Sequence, residues 1–212
     1  MSGHNENGQT RKDDRVPVSR QRISEAALAV AHRGGGSAVT MRRVARELGV
    51  EAMSLYHHVV DREDLLDGMA EIMVRTGLVA PTAGLPVSEI LTIFARGIRA
   101  TALAHPEAFR LVGLRPLRSP EAAGAIAGLL SALGTAGMTA ETAVTSYRVV
   151  AAYARGFALS EIAGLTFGPG VNMTLPVELQ PYAHALRRDT GATFEAGLAA
   201  IIDGFNQSLP ST

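Results

Sequence analysis

Residues 40–69 read TMRRVARELGVEAMSLYHHVVDREDLLDGM, and their spacing predicts two short helices joined by a glycine turn. The first helix begins after Thr40, a residue type that often caps helices, and its apolar residues recur three and four positions apart. Gly49 follows and can adopt the left-handed conformation that ends a helix. Beyond it, Leu55 and Val59 lie four positions apart and define the inner face of the second helix.

This arrangement matches the helix-turn-helix pattern, which needs a small residue where the helices touch, a glycine at the turn and apolar residues between them. Ala45 and Gly49 supply the first two features. The apolar residues that form the shared core are Val44, Leu48, Val50 and Leu55. Because so loose a pattern also occurs by chance in alanine-rich helical chains, a purely structural helical hairpin is the alternative to DNA binding.

Basic residues are concentrated around this motif although the whole chain has a formal net charge of zero, with 20 Lys and Arg against 20 Asp and Glu. Residues 11–58 contain nine basic and five acidic side chains, and residues 59–75 contain two basic and five acidic ones. A nucleic-acid partner is therefore expected to bind locally rather than through bulk charge. An ordinary mixed-charge surface is the alternative.

The composition excludes several classes of protein. The chain has no cysteine, which rules out disulfides, thiolate zinc sites, iron–sulfur clusters and a cysteine nucleophile. With 47% hydrophobic residues in 212, it can bury a substantial core. No apolar run approaches the roughly 18 residues of a membrane span, and the first residues, MSGHNENGQTRKDDRVP, do not form a signal peptide. We expect a cytoplasmic protein without a membrane partner.

The rest of the chain reads as helices with no alternating strand pattern, so the fold class is all-α: an N-terminal three-helix domain followed by a larger helical domain. Helix starts are predicted at the caps Ser19, Thr40, Ser119 and Thr139. The other predicted helices cover residues 62–76, 88–105, 120–136, 139–164, 177–188 and 190–207, with a short one through Phe109 and a loop at 165–176. The predicted domains are a flexible arm at 1–18, a DNA-binding domain at 19–66 and a ligand-binding and dimerisation domain at 67–212.

Residues 40–69 resemble the N-terminal signature of the TetR family of bacterial transcription regulators, because the LGV, LYxH and acidic-rich LL segments occur in the same order. Downstream, ALAHPEAFRLVGLRP (102–116), LLSALGTAGMTAETA (129–143) and ARGFALSE (154–161) resemble the regulatory domain of the tetracycline-repressor branch. The resemblance implies a homodimeric, ligand-responsive regulator, most often a repressor, that binds a palindromic double-stranded DNA operator and a small-molecule effector.

The resemblance also implies DNA-contact roles. Thr40 would cap its helix and meet a phosphate, and Arg42 would reach a guanine edge. Arg43 would be solvated or face phosphate. Tyr56 and His58 match the phosphate-contacting LYxH pair, with a packed position as the alternative for His58. Arg62 stands where the family usually has a lysine that touches the DNA backbone.

Four exposed positions of the second helix are expected to meet bases: Ala52, Met53, Ser54 and His57. Their side chains are mostly short or apolar, so thymine methyl contacts and DNA shape should matter more than many hydrogen bonds, and Arg42 should carry most direct readout. His57 and His58 are neighbours and point about 100° apart on a helix, so they do not form a metal site.

For the larger domain, the resemblance implies an apolar effector pocket with a few polar contacts, although each residue taken alone is more often core than ligand contact. The expected pocket residues are Met69, Met73, Phe94, Ile98, Phe109, Leu111, Arg115, Tyr147, Tyr153 and Phe157. Leu78, Phe94 and Leu111 stand where the tetracycline repressor has His and Asn for its magnesium-bound drug, so we expect no metal cofactor and a more apolar effector. The helices at 120–136 and 190–207 are expected to form an intersubunit four-helix bundle.

Two other functions fit an all-α chain with such a hairpin: an enzyme and a protein-interaction module that binds a partner helix. The sequence contains no paired nucleophile and base, no HExxH and no glycine-rich phosphate loop, so a non-enzymatic regulator is preferred.

Overall fold

The computed structural model describes residues 17–77, 84–164, 176–183 and 189–206, and within these ranges the secondary structure is entirely helical. The all-α prediction is therefore confirmed for the described residues. Short 3₁₀ helices occur at Gly36–Ala38 and Val177–Tyr182. The α-helices are α1 Arg20–Gly34, α2 Met41–Leu48, α3 Ala52–Leu55, α4 Arg62–Gly77, α5 Val87–Ala104, α6 Pro106–Val112, α7 Pro120–Thr135, α8 Ala140–Ile162 and α9 Thr190–Asn206.

Helix starts follow the capping residues in the sequence. Ser19, Thr40, Ser119 and Thr139 each accept a hydrogen bond from the backbone N–H three residues later, at 3.1–3.3 Å. Each bond satisfies one of the donors that the first turn of a helix leaves unpaired. All four predicted caps are therefore confirmed.

The helix-turn-helix forms as predicted. Ala45 is only 2% exposed, which allows α2 to lie close to its neighbours. Gly49 adopts φ +67° and ψ 34°, the left-handed conformation that ends α2. Val44 and Leu55 are fully buried in the core that α1 and α4 complete, whereas Leu48 and Val50 are half-buried against it.

Helix α4 joins the helix-turn-helix to the rest of the molecule. It packs against α1 on one side and against α5, α6 and α7 on the other. Leu65 and Met69 are fully buried along it. The predicted domain boundary at residue 66 thus falls within one continuous helix, α4.

The larger region is organised around α5 and α8, which pack extensively against each other. α9 packs on both of them, and α7 packs on α4, α5 and α8. Their shared core contains the fully buried side chains of Leu91, Leu133, Val150 and Phe194. No helix among the described residues is long and apolar enough to cross a membrane.

The helix predicted at 177–188 is helical in its described part, but it begins as a 3₁₀ helix and Ala183 is its first α-helical residue. Val177–Tyr182 form a 3₁₀ helix that contains Pro181, and proline has no N–H for an α-helical hydrogen bond and clashes with the preceding turn. The remainder of that predicted helix, 184–188, lies outside the described residues, as do most of the arm predicted at 1–18 and of the loop predicted at 165–176.

Candidate nucleic-acid interface and effector cavity

The outer surface of α2 presents three guanidinium groups. Arg42, Arg43 and Arg46 are all exposed, because the buried side of this short helix is taken by Val44 and Ala45. Within the described residues none of the three is held by an acidic side chain. This surface is positively charged and accessible, as binding to a phosphate backbone requires.

Thr40 lies at the N-terminus of α2 and is exposed. Its hydroxyl oxygen accepts the Arg43 N–H at 3.3 Å, so the hydroxyl hydrogen is still able to donate outward. The positive end of the α2 dipole lies at the same point and favours an anion there. The predicted cap at Thr40 is therefore observed, and its exposed hydroxyl leaves room for the phosphate contact that was predicted for it.

The second helix of the motif is short, since α3 ends at Leu55 and a turn covers residues 56–58. Two large side chains with predicted DNA contacts are open to solvent here: Met53 on α3 is 73% exposed, and Tyr56 in the turn is 47% exposed. Ser54 and Ala52 are half-buried, and the Ser54 hydroxyl donates to the Glu51 carbonyl at 2.6 Å.

Both histidines of the turn, His57 and His58, are exposed. The packed position considered for His58 is therefore not observed in this chain. Among the described residues, no group of three or more His, Asp or Glu side chains is placed to hold a metal ion.

Arg62 borders the same surface. It is exposed, and its Nε donates to the Val39 carbonyl at 3.4 Å, next to Thr40. This bond brings the start of α4 beside the start of α2. The residues from both helices for which phosphate contacts were predicted, Thr40 and Arg62, thus lie on one edge of the module.

An apolar cavity lies between α4, α5, α6 and α8. Its volume is about 60 Å³, which is the space of about two water molecules in the liquid and far below the roughly 300 Å³ of small drug-sized pockets. A ligand of drug-like size therefore needs a wider cavity than the one in this structure.

Six of the ten predicted pocket residues line this cavity: Met73, Phe94, Ile98, Phe109, Arg115 and Tyr147. Phe94 and Tyr147 meet across α5 and α8, with ring centroids 5.7 Å apart. These side chains come from four helices and from the turn after α6, which the sequence could not place relative to one another, and they line one cavity.

The other four predicted residues lie elsewhere. Met69 is buried in the core along α4, and Leu111 packs toward Gly36. Tyr153 and Phe157 form an aromatic cluster with Phe194 of α9, and the Tyr153 hydroxyl donates to the Phe194 carbonyl at 2.8 Å. Burial raises the pKa of Tyr153. These two rings attach α9 to α8 rather than facing the cavity.

Several cavity residues were not predicted from the sequence. Thr101 donates its hydroxyl to the Gly97 carbonyl at 2.9 Å, and Arg155 projects from α8. Arg155 lies eight residues after Tyr147, so the two residues share one face of the helix in an i, i+4, i+8 row. This spacing could have identified Arg155 as a cavity residue from the sequence. The remaining unpredicted lining residues are Ala70, Val74, Gly77, Val112, Gly113, Leu117 and Ile126.

Arg115 belongs to both the cavity and the α4 surface. It lines the cavity, and its guanidinium donates to Asp67 at 2.6 and 2.9 Å and to the Glu63 carboxylate at 2.8 Å. The hydrogen bonds to Glu63 and Asp67 raise the pKa of Arg115. The turn after α6 is therefore fastened to α4, close to where α4 supports the helix-turn-helix.

Comparison with known proteins gives matches to both parts of the chain. Residues 23–69 match the family model described as bacterial regulatory proteins, tetR family, and residues 81–209 match the tetracyclin repressor-like C-terminal domain. The chain is 32% identical over 193 residues to the class A tetracycline repressor protein from transposon 1721 of Escherichia coli, covering 86% of this chain and 88% of that protein.

Solved structures are similar over the same extent. A possible TetR family transcriptional regulator from Streptomyces coelicolor A3(2) is 30% identical with a TM-score of 0.75, covering 90% of this chain and 100% of that one. ActR from Streptomyces coelicolor, in complex with (S)-DNPA, is 25% identical with a TM-score of 0.77, covering 91% of this chain and 99% of that one.

Proposed function

Because the chain belongs to the TetR family of bacterial transcription regulators, we propose that it represses transcription from a palindromic operator until a small, largely apolar effector enters the cavity. It is a ligand-responsive DNA-binding regulator, not an enzyme, and it works as a dimer. Such a regulator acts in the cytoplasm, where the bacterial chromosome lies. The observation that carries the proposal is the position of Arg115, which lines the cavity and binds α4 at the same time.

The phosphate contacts are assigned to side chains at the edges of the exposed surface. The assigned residues are Thr40, Arg43, Tyr56, His58 and Arg62. Their exposure and the α2 dipole support this role, because phosphates favour cations, hydroxyls and helix N-termini. These contacts set the position of the protein on the duplex without reading its sequence.

Base reading is assigned to Arg42 together with the outer side of α3 and the following turn. Arg42 can donate to the O6 and N7 atoms of a guanine. The exposed thioether of Met53 suits a thymine methyl group, and His57 lies beside it. Ser54 and Ala52 are half-buried, so we assign them close contacts that depend on DNA shape.

A dimer is needed because one small reading unit buries too little surface for tight, selective binding. Two such units must meet half-sites about 34 Å apart or a near multiple of that distance. Since an isologous dimer places a two-fold axis between the units, the operator is expected to be palindromic.

For the intersubunit surface, the packing supports α8 rather than α7 as the partner of α9. α9 packs directly on α8, and the Tyr153 hydroxyl bond joins the two helices. Val149, Ala152 and Gly156 form an exposed row on α8, and Ala196 and Ala200 are exposed on α9. Two adjacent helices with small exposed side chains can pair with their symmetry copies as a four-helix bundle. This revises the expectation that placed 120–136 at the interface.

Effector and operator are proposed to favour different conformers of α4. The cavity must widen to accept a ligand, and its walls include Met73 of α4 as well as Arg115. Widening therefore moves α4 and the reading surface that it supports. By linkage, a ligand that favours the widened conformer weakens DNA binding by the same factor as DNA weakens ligand binding.

The test is a DNA-binding titration with the purified full chain and the DNA upstream of its own gene, followed by a panel of apolar compounds. We expect a salt-dependent complex that some members of the panel dissociate. Binding that does not depend on salt, or no complex with any upstream fragment, would contradict the proposal.

A further inference from the structure

One basic residue that lines the cavity has no acidic partner among the described residues. Arg155 lines the cavity from α8, and among the described residues it has no acidic side chain within ion-pair distance. The second guanidinium of the cavity, that of Arg115, is already bound by Asp67 and Glu63. Within the described part of the chain, Arg155 is thus the arginine of the cavity lining whose guanidinium is not paired with a carboxylate.

The parts of the chain outside the described ranges offer few candidates for a missing partner. The segments 78–83 and 165–175 contain no Asp or Glu. Outside the described ranges, acidic side chains occur only at Glu6, Asp13 and Asp14, all in the first 16 residues. The segments that adjoin α4, α5 and α8 in sequence therefore cannot supply a carboxylate side chain to Arg155.

The surroundings of Arg155 make an anion the favoured occupant. Phe94, Ile98 and Phe109 line the same cavity, so an ion pair formed there is less screened than one in water. A guanidinium presents a planar set of donors that matches a carboxylate. The Thr101 hydroxyl already donates to a backbone carbonyl, which leaves Arg155 as the stronger anchor.

We propose that the effector is an apolar organic acid whose carboxylate binds Arg155 while its rings or alkyl groups pack against the aromatic wall. The inference rests on the proposed function, because it takes this cavity as the effector site. Tyr147 precedes Arg155 by eight residues on α8, which is about 12 Å along the helix axis.

The experiment compares two probes of equal size, 2-naphthoate and 2-naphthamide, by calorimetric titration of the full-length dimer. The carboxylate is expected to bind about tenfold or more tightly than the neutral amide, since hydrogen bonds to a charged group are the stronger ones. Arg155→Met should remove this preference and leave the amide affinity within about threefold. Arg155→Lys should keep part of the preference, because it retains the charge but not the planar donors.

Arg148→Gln is the matched control, because Arg148 is an exposed arginine of α8 that does not line the cavity. It should keep the full preference for the carboxylate. Thermal unfolding and dimer mass are measured for every variant. If Arg155→Met does not fold, Arg155→Lys is compared with the wild type instead. An equal preference for the carboxylate in these two proteins would contradict a role for the planar donors of Arg155.

Several results would overturn the inference: equal affinity of the wild-type dimer for the two probes, tighter binding of the amide, binding of neither probe, or a preference that persists in Arg155→Met. Binding to the upstream DNA is measured on the same preparation. DNA binding without a carboxylate preference overturns this inference alone, whereas the absence of DNA binding overturns the proposed function.

Discussion

Arg115 donates from two of its nitrogens to a single oxygen of Asp67, at 2.9 and 2.6 Å, across 48 positions of sequence. The two side chains are only 21% and 22% exposed, so solvent screens the pair less than it screens a surface ion pair. The turn after α6 and the helix α4 are thus fastened together at the cavity wall.

The strength of this pair can be measured with a double-mutant cycle. Arg115→Met, Asp67→Asn and the double variant are expected to give a coupling free energy of about 1–2 kcal/mol in urea unfolding at fixed protein concentration. The surface pair Arg33 and Glu47, whose side chains are 57% and 34% exposed, is the control and should give at most about 0.5 kcal/mol. Equal coupling in the two pairs would argue against a specific fastening of α4.

Replacement of two neighbouring arginines should separate base reading from phosphate binding. Arg42→Ala is expected to cost about 1–3 kcal/mol of operator binding and to relax the preference at one base pair. Arg43→Ala should weaken binding to all sequences alike and reduce the salt slope by about one. Binding selections on a randomised operator measure both effects. If Arg42→Ala leaves the sequence preference unchanged, Arg42 does not read a base.

The turn glycine and a helix glycine should respond in opposite directions to the same substitution. Gly49 has φ +67° and nothing lies near an added Cβ, so Gly49→Ala adds only backbone strain and should destabilise the fold by about 1 kcal/mol. Gly124 lies inside α7 with open space around it, and Gly124→Ala should stabilise by about 0.5–1 kcal/mol. Chemical unfolding measures both, and a stabilised Gly49→Ala would be inconsistent with the left-handed turn.

The proposed intersubunit surface predicts where a buried charge breaks the dimer. Val149→Glu introduces a carboxylate into the exposed row of α8 and should convert the dimer to a monomer in light scattering at micromolar concentration. Ala123→Glu makes a similar change on the exposed side of α7 and should leave the dimer intact. The opposite result would restore α7 as the interface helix.

The attachment of α9 predicts a loss of stability in acid. Hydrogen bonds from Arg99, reinforced by Thr190, lower the pKa of Glu161 below its ordinary value of 4.5 against the effect of burial. A lowered folded-state pKa means that the pair stabilises the fold above about pH 4.5 and that this contribution disappears as the pH falls through the folded value. As the pH is lowered below 4.5, the unfolding free energy of the wild type should therefore decrease more steeply than that of Glu161→Gln. Parallel profiles would show that the pair contributes nothing.

The parts of the fold that the sequence predicts are those that depend on local chemistry. Caps such as Ser119 and the turn at Gly49 act within a few residues, so their positions could be predicted. Helical periodicity predicts which side of α8 is buried but not which neighbour covers it. For that reason Tyr153 and Phe157 were expected at the cavity, although α9 covers them.

Pairings between distant segments were not predictable from spacing alone. The bond from Arg115 to Asp67 depends on how α6 lies against α4, a relation that the periodicity of neither helix contains. Conversely, Phe94 and Tyr147 were expected at the cavity, and they meet there because α5 and α8 pack together along most of their length.

Opposed binding of operator and effector by one dimer is tested most directly by fluorescence anisotropy with labelled upstream DNA. We expect two chains per operator, an affinity that falls steeply with salt, and a weaker affinity when 2-naphthoate or another cavity ligand is present. A ligand that fills the cavity yet leaves the operator affinity unchanged would show that the two sites are not coupled.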